Sequence, residues 1–257
     1  MSEALDRSGL RAYTNARVAL RSTGTSLATS EQLDLALCLA EARDAVHAEL
    51  STVTLVPRLT ALGLEVLAVR SAARDRAEYL RRPDLGRRLS VASRAELQEP
   101  TQGQQQALNG APAPTPPSLA IVIADGLSAI AVERHAIPVL EMLLPMLDKW
   151  QAGPVAVAEQ ARVAIGDEVG EVLGASATLL LIGERPGLSA PDSLGAYITW
   201  APRVGRSDAE RNCVSNIRPE GLSYEAAARK IAGYLNQARR LQLTGVALKE
   251  EQDQLEQ

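Results

Sequence analysis

The sequence of 257 residues contains no phenylalanine, and its aromatic side chains are limited to two tryptophans and five tyrosines. A core built from large aromatic rings is therefore excluded. Hydrophobic residues still make up 46% of the chain, which is enough for a substantial buried core at this length. We expect one large domain or two modest ones, filled mainly by leucine, alanine, valine and isoleucine.

Cysteines and long apolar runs are also scarce. Cys38 and Cys213 are the two cysteines, and without CxxC spacing they indicate neither a disulfide framework nor a zinc site, which fits a reducing compartment. No stretch approaches the roughly 18 apolar residues of a membrane-spanning helix. The N-terminal residues also lack an apolar signal segment. We therefore expect a cytoplasmic protein with no membrane span and no metal site.

The chain has no excess of positive charge, since 31 acidic residues outnumber 27 basic ones and give a formal net charge of −4. This balance does not support a broad electrostatic footprint for nucleic acid. Arginines cluster locally at 81–88 and 203–211. Nucleic-acid binding is nevertheless not expected.

The chain divides at residues 103–118, where four prolines and a run of glutamines predict a flexible to semi-extended linker. Residues 1–102 are predicted to be mainly helical. Their clearest helix is predicted at 30–50, with Thr29 and Gln32 as its capping box. The other predicted elements of this region are a strand at 64–69, a helical turn at 74–80, a basic loop at 81–88 and a helix at 90–98.

Residues 119–257 alternate apolar strands with helical stretches. Strands are predicted at 119–124, 155–158, 177–182 and 197–200, with helices from the first strand to 146, at 166–173, and after an N-cap at Ser223. This alternation predicts an α/β fold whose C-terminal, mostly parallel sheet is flanked by helices in a Rossmann-like arrangement. Ligands bind outside the carboxyl ends of such strands, where Asp125 and Glu184 are predicted to lie.

The segment 181–219 is rich in loop residues, which is typical of a binding face. Pro186 and Gly187 are predicted to hold the central positions of a type II turn. Glu184 follows a predicted strand and has three possible roles: it accepts hydrogen bonds from ligand amides or hydroxyls, it pairs locally with Arg185, or it stabilises the turn. Residue chemistry alone favours a buried Cys213 over a ligand contact.

Common enzyme templates are missing. The sequence has no GxGxxG, no P-loop and no HExxH, and the run GLSAI at 126–130 lacks the last glycine of a nucleophile elbow. A hydrolase triad is therefore not expected. His47 and His135 fall in helical stretches and are interpreted as structural or surface residues. Asp125, with Ser128 nearby, is either part of a helix cap or a ligand contact.

Seven motifs resemble the small (light) subunit of ethanolamine ammonia-lyase, an adenosylcobalamin enzyme. The two most distinctive are IGERPGLSAPDSL at 182–194 and RNCVSNI at 211–217. The others are TSLATSEQL at 25–33, EARDAVH at 41–47, RPDLGRRL at 82–89, ADGLSA at 124–129 and RVAIGDEVGEVLGA at 162–175. The resemblance covers most of the chain and leaves out the linker and both ends.

The resemblance implies a radical reaction that splits ethanolamine into acetaldehyde and ammonia. The substrate site then belongs to a large partner subunit, and the small subunit completes the cobalamin site in a hetero-oligomer without supplying catalytic residues. The implied cobalamin contacts are Val163, Glu184 and Cys213. Because the DxHxxG signature of histidine-ligated cobalamin enzymes is missing, the cofactor is expected to be base-on. Enclosure in a bacterial microcompartment stays open.

Two other functions compete with this interpretation. The first is a stand-alone α/β module that binds a nucleotide or metabolite without catalysis and uses Asp125 and Glu184 to hold it. The second is a structural protein whose arginine loops dock an acidic surface. A stand-alone module would be stabilised by its ligand without a partner, whereas a docking protein would associate in a salt-sensitive manner.

Overall fold

The computed structural model describes residues 9–10, 13, 16–98 and 118–248. Within this part of the chain the strands are β1 (Ser22–Thr23), β2 (Ser26–Leu27), β3 (Val66–Arg70), β4 (Ser118–Ala124), β5 (Gln151–Glu159), β6 (Ala177–Gly183), β7 (Leu194–Trp200) and β8 (Asn212–Ile217). The helices are α1 (Thr29–His47), α2 (Thr52–Ala61), α3 (Arg76–Arg81), α4 (Val91–Gln98), α5 (Ala129–Leu143), α6 (Ile165–Val172) and α7 (Tyr224–Leu241).

Six strands form one sheet in the order β3-β5-β4-β6-β7-β8. The first four run parallel, and β7 and β8 continue the sheet in antiparallel pairs. The predicted α/β class with a mostly parallel sheet is therefore confirmed, as is a mainly helical region before β4. The four parallel strands end at the same edge, so the residues that follow β4, β5 and β6 come together there.

Apolar side chains alternate between the two faces of the sheet, as the two-residue period of a strand requires. In β4, Ile121 and Ile123 join the core under α2, α5 and α7, whereas Val122 and Ala124 join a second core under α4 and α6. Both faces are thus covered by helices. This explains why β4 and β6 are continuous apolar runs rather than alternating ones.

The sheet takes strands from both sides of the predicted linker. Strand β3 lies before it and pairs with β5 after it, from Val66 with Val155 to Arg70 with Glu159. The linker at 103–118 lies outside the described residues except for Ser118, which opens β4. The division of the chain into 1–102, 103–118 and 119–257 stays a prediction.

The predicted cap of the first helix is wrong. Helix α1 begins at Thr29 itself, after Ala28, and no side chain caps it by a hydrogen bond. Contacts from the preceding segment hold this end instead, because Arg21 donates to Ser30 Oγ at 2.9 Å and to Glu31 Oε1 at 3.3 Å. At the other end of the chain, the predicted cap is confirmed: Ser223 Oγ accepts from the Ala226 N–H at the start of α7.

Helix α2 and strand β8 were not predicted. Helix α2 is rich in β-branched residues, which lower helix propensity, and it forms because Leu55 and Leu59 pack into the core. Strand β8 was interpreted as part of a loop because the segment 181–219 is rich in loop residues. In the structure Cys213 and Ser215 are exposed while Val214 is buried. It is an edge strand whose polar side faces outwards.

The predicted type II turn at Pro186-Gly187 is also wrong, because Gly187 lacks the positive φ that the turn requires. Gly187 and Ala190 instead exchange two backbone hydrogen bonds of 3.0 and 3.3 Å, which close the loop after β6. No helix in the described part of the chain is long and apolar enough to cross a bilayer.

Candidate functional site

A groove of about 410 Å³ lies outside the carboxyl ends of β4, β5 and β6. We call it the strand-end groove, and its lining includes Gly126, Val163, Gly183, Glu184 and Tyr197. These residues come from four separate stretches of the chain. The groove therefore exists only because the parallel strands end together at one edge.

Two glycines let the loops around the groove approach closely. The Leu127 N–H donates to the Gly183 carbonyl at 3.0 Å. Gly126 has φ +56°, and a Cβ atom there would lie 2.1 Å from the Gly183 oxygen. A Cβ at Gly183 would lie 2.0 Å from the Ser128 oxygen. Side chains are thus excluded at both positions, and the turn after β4 packs directly on the end of β6.

The Glu184 carboxylate is held through one of its oxygens. Its Oε2 accepts from the Ser193 hydroxyl and from the Asn216 N–H, the latter at 3.2 Å. Its Oε1 accepts no hydrogen bond from the described residues. The predicted local pair with Arg185 does not form between the side chains, and Arg185 is exposed. Glu184 is therefore a fixed carboxylate with a free acceptor oxygen at the groove.

Cys213 lies next to the groove, one strand beyond Tyr197. The two residues pair across β7 and β8, and Tyr197 lines the groove. Burial raises the pKa of Tyr197, and the neighbouring Cys213 thiol and Glu184 carboxylate add to that rise. Cys213 itself is an exposed free thiol. The prediction of a buried Cys213, which rested on residue chemistry alone, is therefore wrong.

Val163 lies on the loop between β5 and α6. Its carbonyl accepts the Gly166 N–H at 3.1 Å, which orders the start of that helix, and its side chain lies beside the second hydrophobic core. The residue lines the strand-end groove together with Glu184. The fold thus brings Val163 and Glu184 to the strand-end groove. Cys213 lies beside this groove because it pairs with Tyr197.

Asp125 is neither a helix cap nor a groove residue. Its carboxylate accepts the N–H groups of Gln160 and Ala161, each at 2.9 Å, and an Arg76 Nη1 donor at 3.0 Å. Helix α5 is capped instead by Ser128, whose Oγ accepts from the Ala131 N–H. Burial raises the pKa of Asp125 to about 6, against the opposing effects of Arg76 and the backbone donors. Asp125 ties the end of β4 to the end of β5.

Tyr79 is a groove residue that the sequence did not indicate. Its hydroxyl lies 2.7 Å from the Gly126 oxygen and 3.1 Å from the Ala161 oxygen, so it bridges the loops after β4 and β5. Two guanidinium groups lie over its ring, with Arg76 at 4.8 Å and Arg162 at 4.5 Å from the centroid. A tyrosine in a short helical turn gave no signal of this role.

Both histidines lie away from the groove, in agreement with their interpretation as structural or surface residues. His47 is exposed in the last turn of α1. His135 is buried, with Nδ1 2.8 Å from the Tyr224 hydroxyl and Nε2 3.5 Å from Asp192 Oδ2. Across the described residues, no three histidine, cysteine or acidic side chains come together as metal ligands.

The open, mostly parallel sheet and the groove at its strand ends define an α/β protein of the class that binds ligands at the carboxyl edge of the sheet. Residues 6–249 match the family described as ethanolamine ammonia-lyase light chain. The chain belongs to this family of ethanolamine ammonia-lyase small subunits, a group of lyase subunits.

Named relatives agree with this assignment. The chain is 51% identical over 244 residues to proteins named ethanolamine ammonia-lyase small subunit from Azotobacter vinelandii and Pseudomonas putida strain GB-1. The alignment covers 94% of this chain in both cases, with 87% of the first relative and 86% of the second. A relative of the same name from Pseudomonas aeruginosa strain LESB58 is also 51% identical.

Proposed function

We propose that this chain is the small subunit of an adenosylcobalamin-dependent ethanolamine ammonia-lyase. In this proposal it completes the cobalamin site where it meets a large catalytic subunit, within a cytoplasmic hetero-oligomer. The observation that carries the proposal is the strand-end groove, where Val163 and Glu184 meet and Cys213 lies close by. The names of the relatives supply the reaction.

The groove fits the chemistry of a corrin ring. The edge of the ring carries amide side chains, whose N–H groups need acceptors. Glu184 Oε1 is such an acceptor, because the bonds from Ser193 and Asn216 engage only Oε2 and hold the carboxylate in place. Val163 adds an apolar contact beside it, and Cys213 offers a small, weakly polar surface.

The size of the groove supports a site shared with a partner subunit. A volume of about 410 Å³ accommodates only part of a corrinoid, which supports a site that a second chain completes. When bound, adenosylcobalamin supplies a carbon radical that starts the conversion of ethanolamine to acetaldehyde and ammonia. Residues of this chain then bind and orient the cofactor and keep water from it, and the large subunit holds the substrate.

The test separates the two subunits. We expect ethanolamine-dependent aldehyde formation from this chain purified with its large subunit, and none from either chain by itself. Cobalamin affinity, measured by absorbance titration, should follow the same pattern. Aldehyde formation by this chain alone would contradict the division of labour. A complex that binds no cobalamin would contradict the proposal that cobalamin is the cofactor.

A further inference from the structure

A second groove, of about 570 Å³, lies next to the strand-end groove and shares Arg162 and Val163 with it. We call it the arginine groove, because five arginines line it: Arg87, Arg88, Arg162, Arg206 and Arg211. They come from the basic loop after α3, the loop after β5, and the loop between β7 and β8. Among the described residues that line it, Asp208 is the one carboxylate.

Two of the five arginines are already neutralised. Arg211 pairs with the buried Asp167 and, at 2.6 Å, with Asp208. Arg206 pairs with Glu210 and also donates to backbone carbonyls. Asp208, the lining carboxylate, is thus used within this network.

The other three arginines form no ion pair with any described residue. In the described part of the chain, the side chains of Arg87, Arg88 and Arg162 donate no hydrogen bond. The Arg162 Nε is buried and lacks a hydrogen-bond partner there, while its guanidinium rests on the Tyr79 ring. The arginine groove therefore carries three uncompensated positive charges, and the one at Arg162 faces both grooves.

Backbone contacts hold the two loops that carry these arginines. The Arg162 N–H donates to the Gly86 carbonyl at 2.7 Å, which ties the basic loop to the loop after β5. The Arg88 carbonyl accepts from the Ala72 N–H at 2.9 Å. The Leu89 N–H donates to Glu168 Oε2 at 2.8 Å. Guanidinium groups bind anionic oxygens through charge-assisted, often bidentate, hydrogen bonds.

We propose that the arginine groove binds the phosphodiester of the cobalamin nucleotide loop. This inference rests on the proposed function, since it assumes a corrin ring in the strand-end groove. The side chains at the edge of the corrin ring are neutral amides. Apart from the cobalt centre, the negatively charged group of cobalamin is the phosphodiester. In base-on cobalamin the phosphate lies beside the corrin ring. If the ring lies in the strand-end groove, the phosphate is close to the positive charges of the arginine groove.

The experiment compares cobalamin with cobinamide, a corrinoid that lacks the nucleotide loop, in the complex of this chain with its large subunit. The double variant Arg87→Gln/Arg88→Gln removes two exposed charges and leaves Arg162 on Tyr79. We expect its Kd for cobalamin to rise about tenfold or more, because two charge-assisted contacts are lost. Its Kd for cobinamide should change less than about twofold, since no phosphate is present.

The matched control is Arg43→Gln/Arg229→Gln, which makes the same change in net charge at two exposed arginines outside the arginine groove. It should leave both Kd values unchanged. Inorganic phosphate, added at constant ionic strength, should compete with cobalamin and not with cobinamide.

Several results would overturn the proposal. Equal weakening of cobalamin and cobinamide would mean that the arginines support the subunit structure rather than the phosphate. No weakening of either would show that Arg87 and Arg88 do not contact the phosphate and would contradict the proposed site. Phosphate binding that leaves cobalamin affinity unchanged would indicate a site for free anions. A wild-type complex that binds neither corrinoid would instead contradict the proposed function, so the two failures are distinguishable.

Discussion

At the residue scale, Glu184 combines a fixed position with an unused acceptor. We expect Glu184→Ala to raise the Kd of the complex for cobalamin about tenfold or more, because a hydrogen bond to a charged group contributes about 1.5–3 kcal/mol. Absorbance titration measures this change. Glu96→Ala, which removes an exposed carboxylate on α4, is the control. An unchanged titration for Glu184→Ala would remove the residue from the site.

Gly195 offers a test that leaves the carboxylate in place. A Cβ at this position in β7 would lie 2.9 Å from Glu184 Oε1 and 3.1 Å from its Cγ, so Gly195→Ala should displace the side chain. We expect weaker cobalamin binding with little change in the free energy of unfolding, since alanine itself is tolerated in a strand. Gly153→Ala in β5 is the control, with its nearest contact at 3.6 Å. Equal cobalamin affinity in both variants would contradict the assigned position of Glu184.

Asp125 should affect stability directly, in contrast to Glu184. Removing one partner of a buried ion pair destabilises by about 3–5 kcal/mol, and Asp125→Ala also leaves two backbone N–H groups unpaired. Urea denaturation should therefore show a large decrease in the free energy of unfolding for Asp125→Ala. Asp84→Ala, which breaks an exposed pair with Arg82, should show almost none. A stable Asp125→Ala variant that has lost cobalamin affinity would identify Asp125 as a ligand contact instead.

At the element scale, the loop after β6 is anchored to helix α5. Arg134 Nη1 donates to Asp192 Oδ2 at 2.8 Å, and His135 Nε2 lies 3.5 Å from the same atom. On its other side His135 meets the Tyr224 hydroxyl at the start of α7. The loop that begins with Glu184 is thus held at its far end by α5, and His135 links α5 to α7. We expect its position to depend on the charge of His135.

Burial lowers the pKa of His135 below its ordinary value of 6.5, although Asp192 opposes this. At pH values between the lowered pKa and 6.5, His135 is protonated in the unfolded chain but largely neutral in the folded chain. The free energy of unfolding therefore falls as the pH decreases through this range. Wild type should therefore lose more unfolding free energy than His135→Asn between pH 7.5 and 5.5. The difference between the two proteins isolates His135, because the raised pKa of Asp125 acts in the opposite direction in both.

The control for this pH effect is His47→Asn, which changes an exposed histidine at the end of α1. It should follow the wild-type pH dependence. Parallel curves for wild type and His135→Asn would show that protonation of His135 does not couple to folding.

At the scale of the whole molecule, the strand-end groove has a volume of about 410 Å³, and we propose that it forms only part of a cofactor site. A ligand that binds the native state raises the free energy of unfolding by about 2.7 kcal/mol at one hundred times its Kd. We expect cobalamin to raise the Tm of the two-subunit complex and to leave that of this chain alone nearly unchanged. Differential scanning fluorimetry measures both. A large shift for the isolated chain would favour a stand-alone binding module.

More of the fold than of the candidate site could be predicted from the sequence. The apolar runs of β4 and β6 and the cap at Ser223 are local signals, and they indicated the correct class. Helix α2 and strand β8 were missed because long-range packing, of Leu55 and Leu59 in one case and against β7 in the other, overrides their local pattern. The contacts Val163, Glu184 and Cys213 came from a family resemblance rather than from residue chemistry, and they stay a prediction.

The sequence by itself determined an aliphatic α/β fold, because strand and helix periodicities are local and need no knowledge of distant contacts. It also determined that Glu184 follows a strand. Only the tertiary structure decided that Asp125 turns inwards to Arg76, that Cys213 stays exposed, and that Tyr79 bridges two loops. The direction of a side chain at a strand end depends on which other strand ends lie beside it, and strand order is set by packing across the whole sheet.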